Sequence, residues 1–159
     1  MAFSDEAIRR VVATAEYSDP RAVEMMVSTL IRRRDKVGRE WLTAVNPVVD
    51  FRIDANNTLM FENAAVAAGL STAGGEYRVR WFRFDNTTGE LDSVGPAQGV
   101  EQPAVAMPTQ LIRAEFLAAD VAGVHPHHPV WARPVRVYFH RLEHGWRLVG
   151  VERTPGAAS

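Results

Sequence analysis

The spacing of apolar residues changes once along this chain, at Asn46-Pro47, and that change constrains the fold more than any other feature. Before this point apolar residues recur at the i, i+3, i+4 spacing of an amphipathic helix. After it they alternate with polar residues, as they do in half-buried strands. Helices followed by a run of strands, without strand–helix–strand alternation, predict an α+β protein with mainly antiparallel pairing.

The first 46 residues predict two antiparallel helices joined by a tight turn. Ser4 is a favourable N-cap, and acidic Asp5 and Glu6 follow it in the first turn, where the helix dipole favours negative charge. Asp19 caps the second helix, and Pro20 suits its first position because no N–H is needed there. We expect the second helix to bury one apolar stripe, made of Val23, Val27, Leu30, Val37, Trp41 and Val45.

The remainder predicts short strands and turns. A hairpin turns at Ala55-Asn56-Asn57, another turns at Glu143-His144-Gly145, and a strand is expected over Val100–Met107 with Pro103 near an edge. The stretch Leu111–Ala122 is compatible with a strand or a helix. We therefore divide the chain into a helical hairpin (residues 1–46), an antiparallel β domain (47–155) and a disordered tail (156–159).

The strand half resembles an immunoglobulin- or fibronectin-like β-sandwich, with Trp81 on a central strand and Val135–Arg141 and Trp146–Arg153 as the last hairpin. The alternative is a cystatin-like or nuclear-transport-factor-like cone, which the hairpin at Trp146–Gly150 also resembles. Cones of that kind enclose a ligand pocket and in some cases an active site, so the two alternatives differ in the function they imply.

Composition excludes several classes of protein. The 18 Lys and Arg residues against 19 Asp and Glu give a net charge of −1, so there is no basic excess for binding nucleic acid. The absence of cysteine removes disulfides, thiol nucleophiles and Cys-ligated metal sites. No run approaches the roughly 20 apolar residues of a membrane span. The start lacks the features of a signal peptide, so we expect a cytoplasmic protein if Met1 is the true start; otherwise the alternative is a protein exported with an upstream region.

Three groups of residues are candidate sites. His125, His127 and His128 are close enough in sequence to bind zinc or copper, although their spacing matches no known ligand motif, and a rigid exposed connection is the favoured interpretation. Arg34 falls within the apolar stripe and must be paired. We expect Glu16, Asp50 or strand-end carbonyls to pair with it, which would make it a clamp between helix and sheet rather than an anion site.

The aromatic residues of the strand half form the third group. Trp81 and Trp131 are candidates for a ligand-binding or glycan-binding face, but aromatic residues at a spacing of two are more often part of a core. No pair of carboxylates, no Gly-x-Ser-x-Gly sequence and no Gly-rich phosphate loop indicates catalysis.

Several segments together resemble the C-terminal region of large, uncharacterised bacterial proteins whose upstream part is similar to atypical kinase-like folds. The segments are Tyr17-Ser18-Asp19-Pro20, Leu30–Lys36, Trp41-Leu42, Val45–Val49, Arg83–Gly89 and Trp146–Arg153. The resemblance spans nearly the whole chain, implies a tail module or a fragment, and assigns no catalytic residue to it.

We therefore expect a non-catalytic accessory or binding module without a cofactor. Its role would be to stabilise a neighbouring domain or to bind a protein or glycan partner. The competing hypothesis is a small enzyme or ligand-binding cone with a pocket near Arg34, Trp81 and the His125–His128 loop.

Overall fold

A computed structural model of the chain describes residues 4–72 and 75–153. The two predicted helices are confirmed as α1, Asp5–Ala13, and α2, Pro20–Thr43. The predicted caps are confirmed as well, since Ser4 Oγ accepts the N–H of Ala7 at 3.1 Å and Asp19 Oδ1 accepts the N–H of Arg21 at 2.8 Å. The tail predicted at 156–159 lies outside the described residues.

Two antiparallel sheets follow the helices, as expected for an α+β protein. Sheet order in the described ranges is β1-β2-β5 for the smaller sheet and β4-β3-β6-β7-β8 for the larger. The strands are β1 Val48–Ile53, β2 Thr58–Asn63, β3 Glu76–Phe84, β4 Leu91–Val100, β5 Ala104–Ala106, β6 Phe116–Val124, β7 Val135–Leu142 and β8 Gly145–Glu152. A short helix α3, Ala64–Ala67, follows β2, and 3₁₀ turns span Thr109–Leu111 and Pro129–Ala132.

The strand expected over Val100–Met107 is wrong in its extent. β4 ends at Val100, and β5 is a separate strand in the other sheet. Pro103 lies between them, where it has no N–H to donate and its carbonyl accepts the N–H of Phe61 at 3.1 Å. The ambiguous stretch from Leu111 divides into a 3₁₀ turn and strand β6.

The main core lies between the two sheets, which gives the molecule a sandwich-like arrangement. It includes Phe51, Leu59 and Val105 from the smaller sheet and Trp81 and Phe139 from the larger sheet, all buried. In addition, Cα atoms of β1 lie within 8 Å of Cα atoms of β8. A groove of about 580 Å³ runs there, lined by Val49, Asp50, Phe51, Leu148, Val151 and Arg153.

The apolar stripe of α2 is only partly buried, contrary to expectation. Val27 is buried, but Val37, Trp41 and Val45 are 57%, 71% and 47% exposed. The reason is that α1 is too short to cover all of α2. Its nine residues extend about 14 Å, whereas α2 is about 36 Å long. α1 begins beside Arg34, where Asp5 and Arg34 form an ion pair of 2.7 Å, so the later part of the stripe extends past it.

Asn46 ties the end of α2 to the sheets. Its Nδ2 donates to the carbonyl oxygens of Val121 at 2.9 Å and Arg133 at 3.0 Å. In return, Arg153 Nη1 donates to the carbonyl oxygen of Asn46 at 3.0 Å. The change of period in the sequence therefore coincides with a physical junction between helices and sheets. No helix in the described part of the chain is long and apolar enough to cross a membrane.

Candidate functional site

A pocket of about 680 Å³ opens beside α3, between the start of β3 and the end of β6. Its walls come from four parts of the chain that are distant in sequence. The lining residues are Phe61, Glu62, Asn63, Val66, Ala67, Thr72, Gly75, Glu76, Tyr77, Glu101, Gln102, Pro103, Gly123, Val124, His125 and Trp131. The volume falls in the range of roughly 300–1,000 Å³ that is usual for small-molecule sites.

Sheet pairing and one polar cap give the pocket its shape. Glu76 pairs with Val124 across β3 and β6, which brings the two strand ends together. Asn63 is buried and caps α3, since its Oδ1 accepts the N–H groups of Ala65 at 3.1 Å and Val66 at 3.2 Å. This cap sets α3 at the pocket wall directly after β2.

Two glycines allow close approach at the same place. A Cβ on Gly75 would lie 2.1 Å from the carbonyl oxygen of Val124, and a Cβ on Gly123 would lie 3.2 Å from the Cβ of Trp131. The first distance is a direct clash with backbone, and the second would require Trp131 to shift by a few tenths of an ångström. Gly75 therefore needs to lack a side chain to keep this wall as it is.

Three aromatic side chains form the apolar part of the lining. Phe61 and Tyr77 meet edge to face, with ring centroids 5.0 Å apart and planes at 81°. Trp131 is 2% exposed, and its indole Nε1 has no hydrogen-bond partner among the described residues. A buried N–H without a partner is uncommon, and here it belongs to a residue that lines a cavity.

The charged part of the lining is acidic. Glu62, Glu76 and Glu101 are exposed residues of the wall, and no ion pair or hydrogen bond within the described ranges engages their carboxylates. All 18 Lys and Arg residues of the chain fall inside the described ranges, and none of them lines this pocket. The carboxylate of Glu76 lies over Gly99, on the face of β3 and β4 that also carries Arg78, so only Glu62 and Glu101 add negative charge without a nearby strand partner of opposite sign.

The His125–His128 loop forms a stack of rings beside the pocket. The ring centroids of His125 and His128 are 4.6 Å apart, and those of His128 and Trp131 are 4.5 Å apart with planes at 21°. His125 Nδ1 accepts the N–H of His127 at 3.2 Å, so this nitrogen already has a partner. No group of three or more His, Asp or Glu side chains in the described part of the chain is arranged to hold a metal ion.

Burial lowers the pKa of His125 below its ordinary value, and positive charge on His128 and then His127 lowers it further. A hydrogen bond to the backbone of Thr72 raises the pKa of His125, but this effect is weaker than the others. Because the net direction is downward, His125 is neutral at neutral pH and adds no positive charge to the pocket.

The residues singled out from the sequence are not all brought together. Trp131 and His125 line the pocket, whereas His127 and His128 are absent from its lining. Trp81 is fully buried in the core, where its Nε1 donates to Gln98 Oε1 at 3.4 Å.

Arg34 lies on α2 and outside the pocket lining. Its partners are Asp5 on α1 and Asp35, each at 2.7 Å, in place of the expected Glu16 or Asp50. Hydrogen bonds to Asp35 and then Asp5 raise the pKa of Arg34. The clamp predicted between helix and sheet is therefore a clamp between two helices.

Comparison of the chain with protein-family models, with curated proteins and with solved structures found no match in any of the three.

Proposed function

We propose that this chain is a non-catalytic binding module that holds one small organic molecule in the pocket beside α3. The observation that carries the proposal is a cavity of about 680 Å³ with aromatic side chains on its wall and a few polar groups around them. That combination of size and lining is typical of ligand sites, in which apolar walls supply affinity and a few polar groups fix orientation.

The two buried polar side chains of the wall, His125 and Asn63, are suited to binding rather than to catalysis. A general base needs a free lone pair within reach of a substrate proton. Nδ1 of His125 accepts a backbone N–H, and Oδ1 of Asn63 accepts two, so both groups hold the protein's own backbone in place. Both side chains therefore stabilise the backbone that forms the wall of the pocket.

The structure offers separate support for each of the two fold types expected from the sequence, the β-sandwich and the cone. The immunoglobulin- or fibronectin-like type is supported by the opposed sheets and by Trp81 in the core between them. The cone is supported by β1 lying beside β8 and by a pocket at the rim, whereas the separation of the strands into two sheets supports the sandwich. The proposed ligand site is open to either type of fold.

The test uses protein NMR with two neutral probes, 3,3-dimethylbutyl acetate for an apolar ligand and methyl β-glucoside for a glycan unit. Binding should shift the amide signals of Gly75 and Gly123, which line the pocket. Ala67→Trp places an indole at an exposed lining position and should abolish the shifts. Ala97→Trp, at an exposed position of β4 outside the lining, is the matched control and should leave them unchanged.

Two results would overturn the proposal. Shifts that are the same in Ala67→Trp and in the unchanged protein would show that the probes bind elsewhere. Hydrolysis of the ester probe by the protein, lost in His125→Gln, would show that the pocket is catalytic. Shifts with the glucoside alone would identify a glycan as the ligand class.

A second candidate function, an accessory module that packs against a neighbouring domain of a larger bacterial protein, is favoured by the uncovered end of α2. The exposed side chains of Val37, Trp41 and Val45 lie on the stripe whose first half α1 already covers. Exposed Arg33 and Glu40 lie about 80° and 100° around the helix axis from Trp41, so the border of this patch carries one basic and one acidic residue. We propose that the partner is an apolar helix of the same kind as α1, which already covers the first half of the stripe.

The matching experiment measures fluorescence anisotropy of two labelled peptides, one with the α1 sequence Asp5–Ala13 and one with the same residues in scrambled order. We expect the α1 peptide to bind, Trp41→Ser to remove that binding, and Met25→Ser to leave it unchanged. Met25 is the control because it is 70% exposed on the same helix but lies about 160° around the axis from Trp41. Equal binding of both peptides, or no binding, would refute this candidate.

A further inference from the structure

We infer that two copies of this chain pair through α2, side by side and antiparallel, along a face that extends from Met26 to the cap residue Ala44. The accessory-module candidate assigns the second half of this face to a helix of a neighbouring domain, and here the chain on its own pairs with a second copy of itself. The inference does not depend on the pocket beside α3. Two features lead to it, namely the spacing of exposed residues along α2 and the placement of two opposite charges among them.

The first feature is a row of residues that runs along α2 beside the stripe covered by α1. Its members follow one another at alternating steps of four and three residues, which is the spacing of helices that pair along their length. The row extends about 27 Å along the helix. Its members are exposed, apart from Leu30, which is half-buried. They are Met26, Leu30, Arg33, Val37, Glu40 and Ala44.

The row is open because α1 packs on another side of α2. Val27, on the side that α1 covers, is 2% exposed, whereas the adjacent Met26 is 38% exposed. Consecutive residues point about 100° apart around a helix axis, so these two residues lie on different sides of α2. The row is therefore available to a second helix while α1 stays in place.

The second feature is the position of Arg33 and Glu40, which lie seven residues apart and therefore point in nearly the same direction. Both are exposed, and neither has an ion pair within the described ranges. In a parallel pair of helices each charge would lie beside the same charge of the second copy. In an antiparallel pair with its twofold axis midway between them, Arg33 of each copy lies beside Glu40 of the other, so opposite charges meet twice.

The same axis places the apolar residues of the row in contact. Val37 lies closest to the axis and meets Val37 of the second copy. Trp41, at the border of the row and 71% exposed, comes within one helical turn of Leu30 of the second copy. A tryptophan that becomes buried supplies a large share of the apolar area in a small interface. The charges and the apolar residues therefore favour the same antiparallel arrangement.

Sedimentation velocity of the 159-residue chain tests the pairing. The contact is small, so we expect a weak dimer with a dissociation constant on the order of 10 µM. The chain should be monomeric at about 1 µM and mainly dimeric at about 300 µM. Trp41→Ser should leave it monomeric over this range, because the largest apolar side chain of the contact is lost.

Charge reversal tests the orientation. Arg33→Glu alone, or Glu40→Arg alone, brings like charges together at both contacts and should raise the dissociation constant about tenfold. The double variant with both changes restores opposite charges only in an antiparallel pair, and it should dimerise like the parent. Arg39→Glu is the control, because this exposed residue lies about 160° around the axis from Trp41 and makes the same change in net charge as Arg33→Glu. It should leave the dissociation constant unchanged.

The outcomes separate this inference from the other proposals. A chain that is monomeric at every concentration would overturn the inference, and binding of the α1 peptide by such a monomer would leave the accessory-module candidate standing. A dimer that neither single charge reversal weakens, or that the double variant fails to restore, would also overturn it. Ligand binding in the pocket beside α3 is measured independently by the NMR shifts, so the proposed ligand site does not depend on these results.

Discussion

Asp120→Asn tests the most buried ion pair among the described residues. Asp120 on β6 faces Arg136 on β7, where Arg136 Nε donates to Oδ1 at 2.7 Å and Nη2 donates to Oδ2 at 2.9 Å. The guanidinium also lies over the ring of Phe82, 5.2 Å from its centroid. The hydrogen bond to Asp120 raises the pKa of Arg136. A guanidinium group stays protonated without that partner, so in the variant Arg136 keeps its charge and loses its counter-ion.

The size of the effect follows from burial. The side chains of Arg136 and Asp120 are 6% and 15% exposed, so neither is well hydrated. Removing one partner of a buried pair costs about 3–5 kcal/mol, because the other charge is left unpaired. The Asn side chain still accepts one hydrogen bond and Asp120 has some access to water, so we expect a loss of about 3 kcal/mol in the free energy of unfolding.

Urea unfolding followed by circular dichroism measures this loss, and the exposed pair of Glu6 and Arg10 gives the control. That pair has the same kind of contact at 3.0 Å, but its side chains are 65% and 78% exposed. Glu6→Gln should therefore change the free energy of unfolding by less than about 0.5 kcal/mol. If Asp120→Asn cost no more than Glu6→Gln, water would be hydrating Arg136 in the folded state and the reasoning from burial would be wrong.

Three further predictions concern backbone and pH. Asn46→Ala should cost about 2 kcal/mol and speed amide hydrogen exchange in α2, because the buried carbonyl of Val121 and the partly buried carbonyl of Arg133 lose this donor; exchange unchanged from that of the parent would contradict it. Asp50→Gly should stabilise the protein by about 1 kcal/mol in a thermal melt, because Asp50 has φ +54° at the bulge in β1; a lower melting temperature would count against strain there. For His125 the folded pKa lies below the unfolded value, so the unfolded chain binds the proton first and stability falls as pH drops below about 6.5. Urea midpoints at neutral and mildly acidic pH should show this fall, and His125→Gln should reduce it.

Local signals made the helices and the last hairpin predictable. Ser4 and Asp19 are caps whose effect reaches only two or three residues, and the alternation in β7 and β8 needs no knowledge of distant neighbours. The sequence predicts that Pro103 lies near an edge. Its carbonyl oxygen accepts the N–H of Phe61, which is 42 residues earlier in the chain, and no local signal reveals this partner. The sequence alone therefore does not divide the expected strand into β4 and β5.

The candidate site was predictable only in part, because its residues meet through sheet pairing. Trp131 and His125 stood out by residue type and do line the pocket. The three glutamates of the wall gave no signal, since each reads in sequence as an ordinary solvated residue near a strand end. For the second half of the α2 stripe the sequence predicts burial, but the structure leaves Val37 and Trp41 exposed. A regular apolar pattern shows which residues can be buried, and it does not show which element covers them.

The attachment of α2 through Asn46 bears on the order in which the chain acquires its structure. The partners of Asn46 lie 75, 87 and 107 residues further along the sequence, in β6, before β7 and just after β8. During synthesis both helices leave the ribosome long before those groups exist, and the chain between must be closed into loops before the contacts can form. The helices are thus among the first elements that can form and the last to be fixed in place. An amino-terminal fragment ending before β6 would retain the helices without their point of attachment.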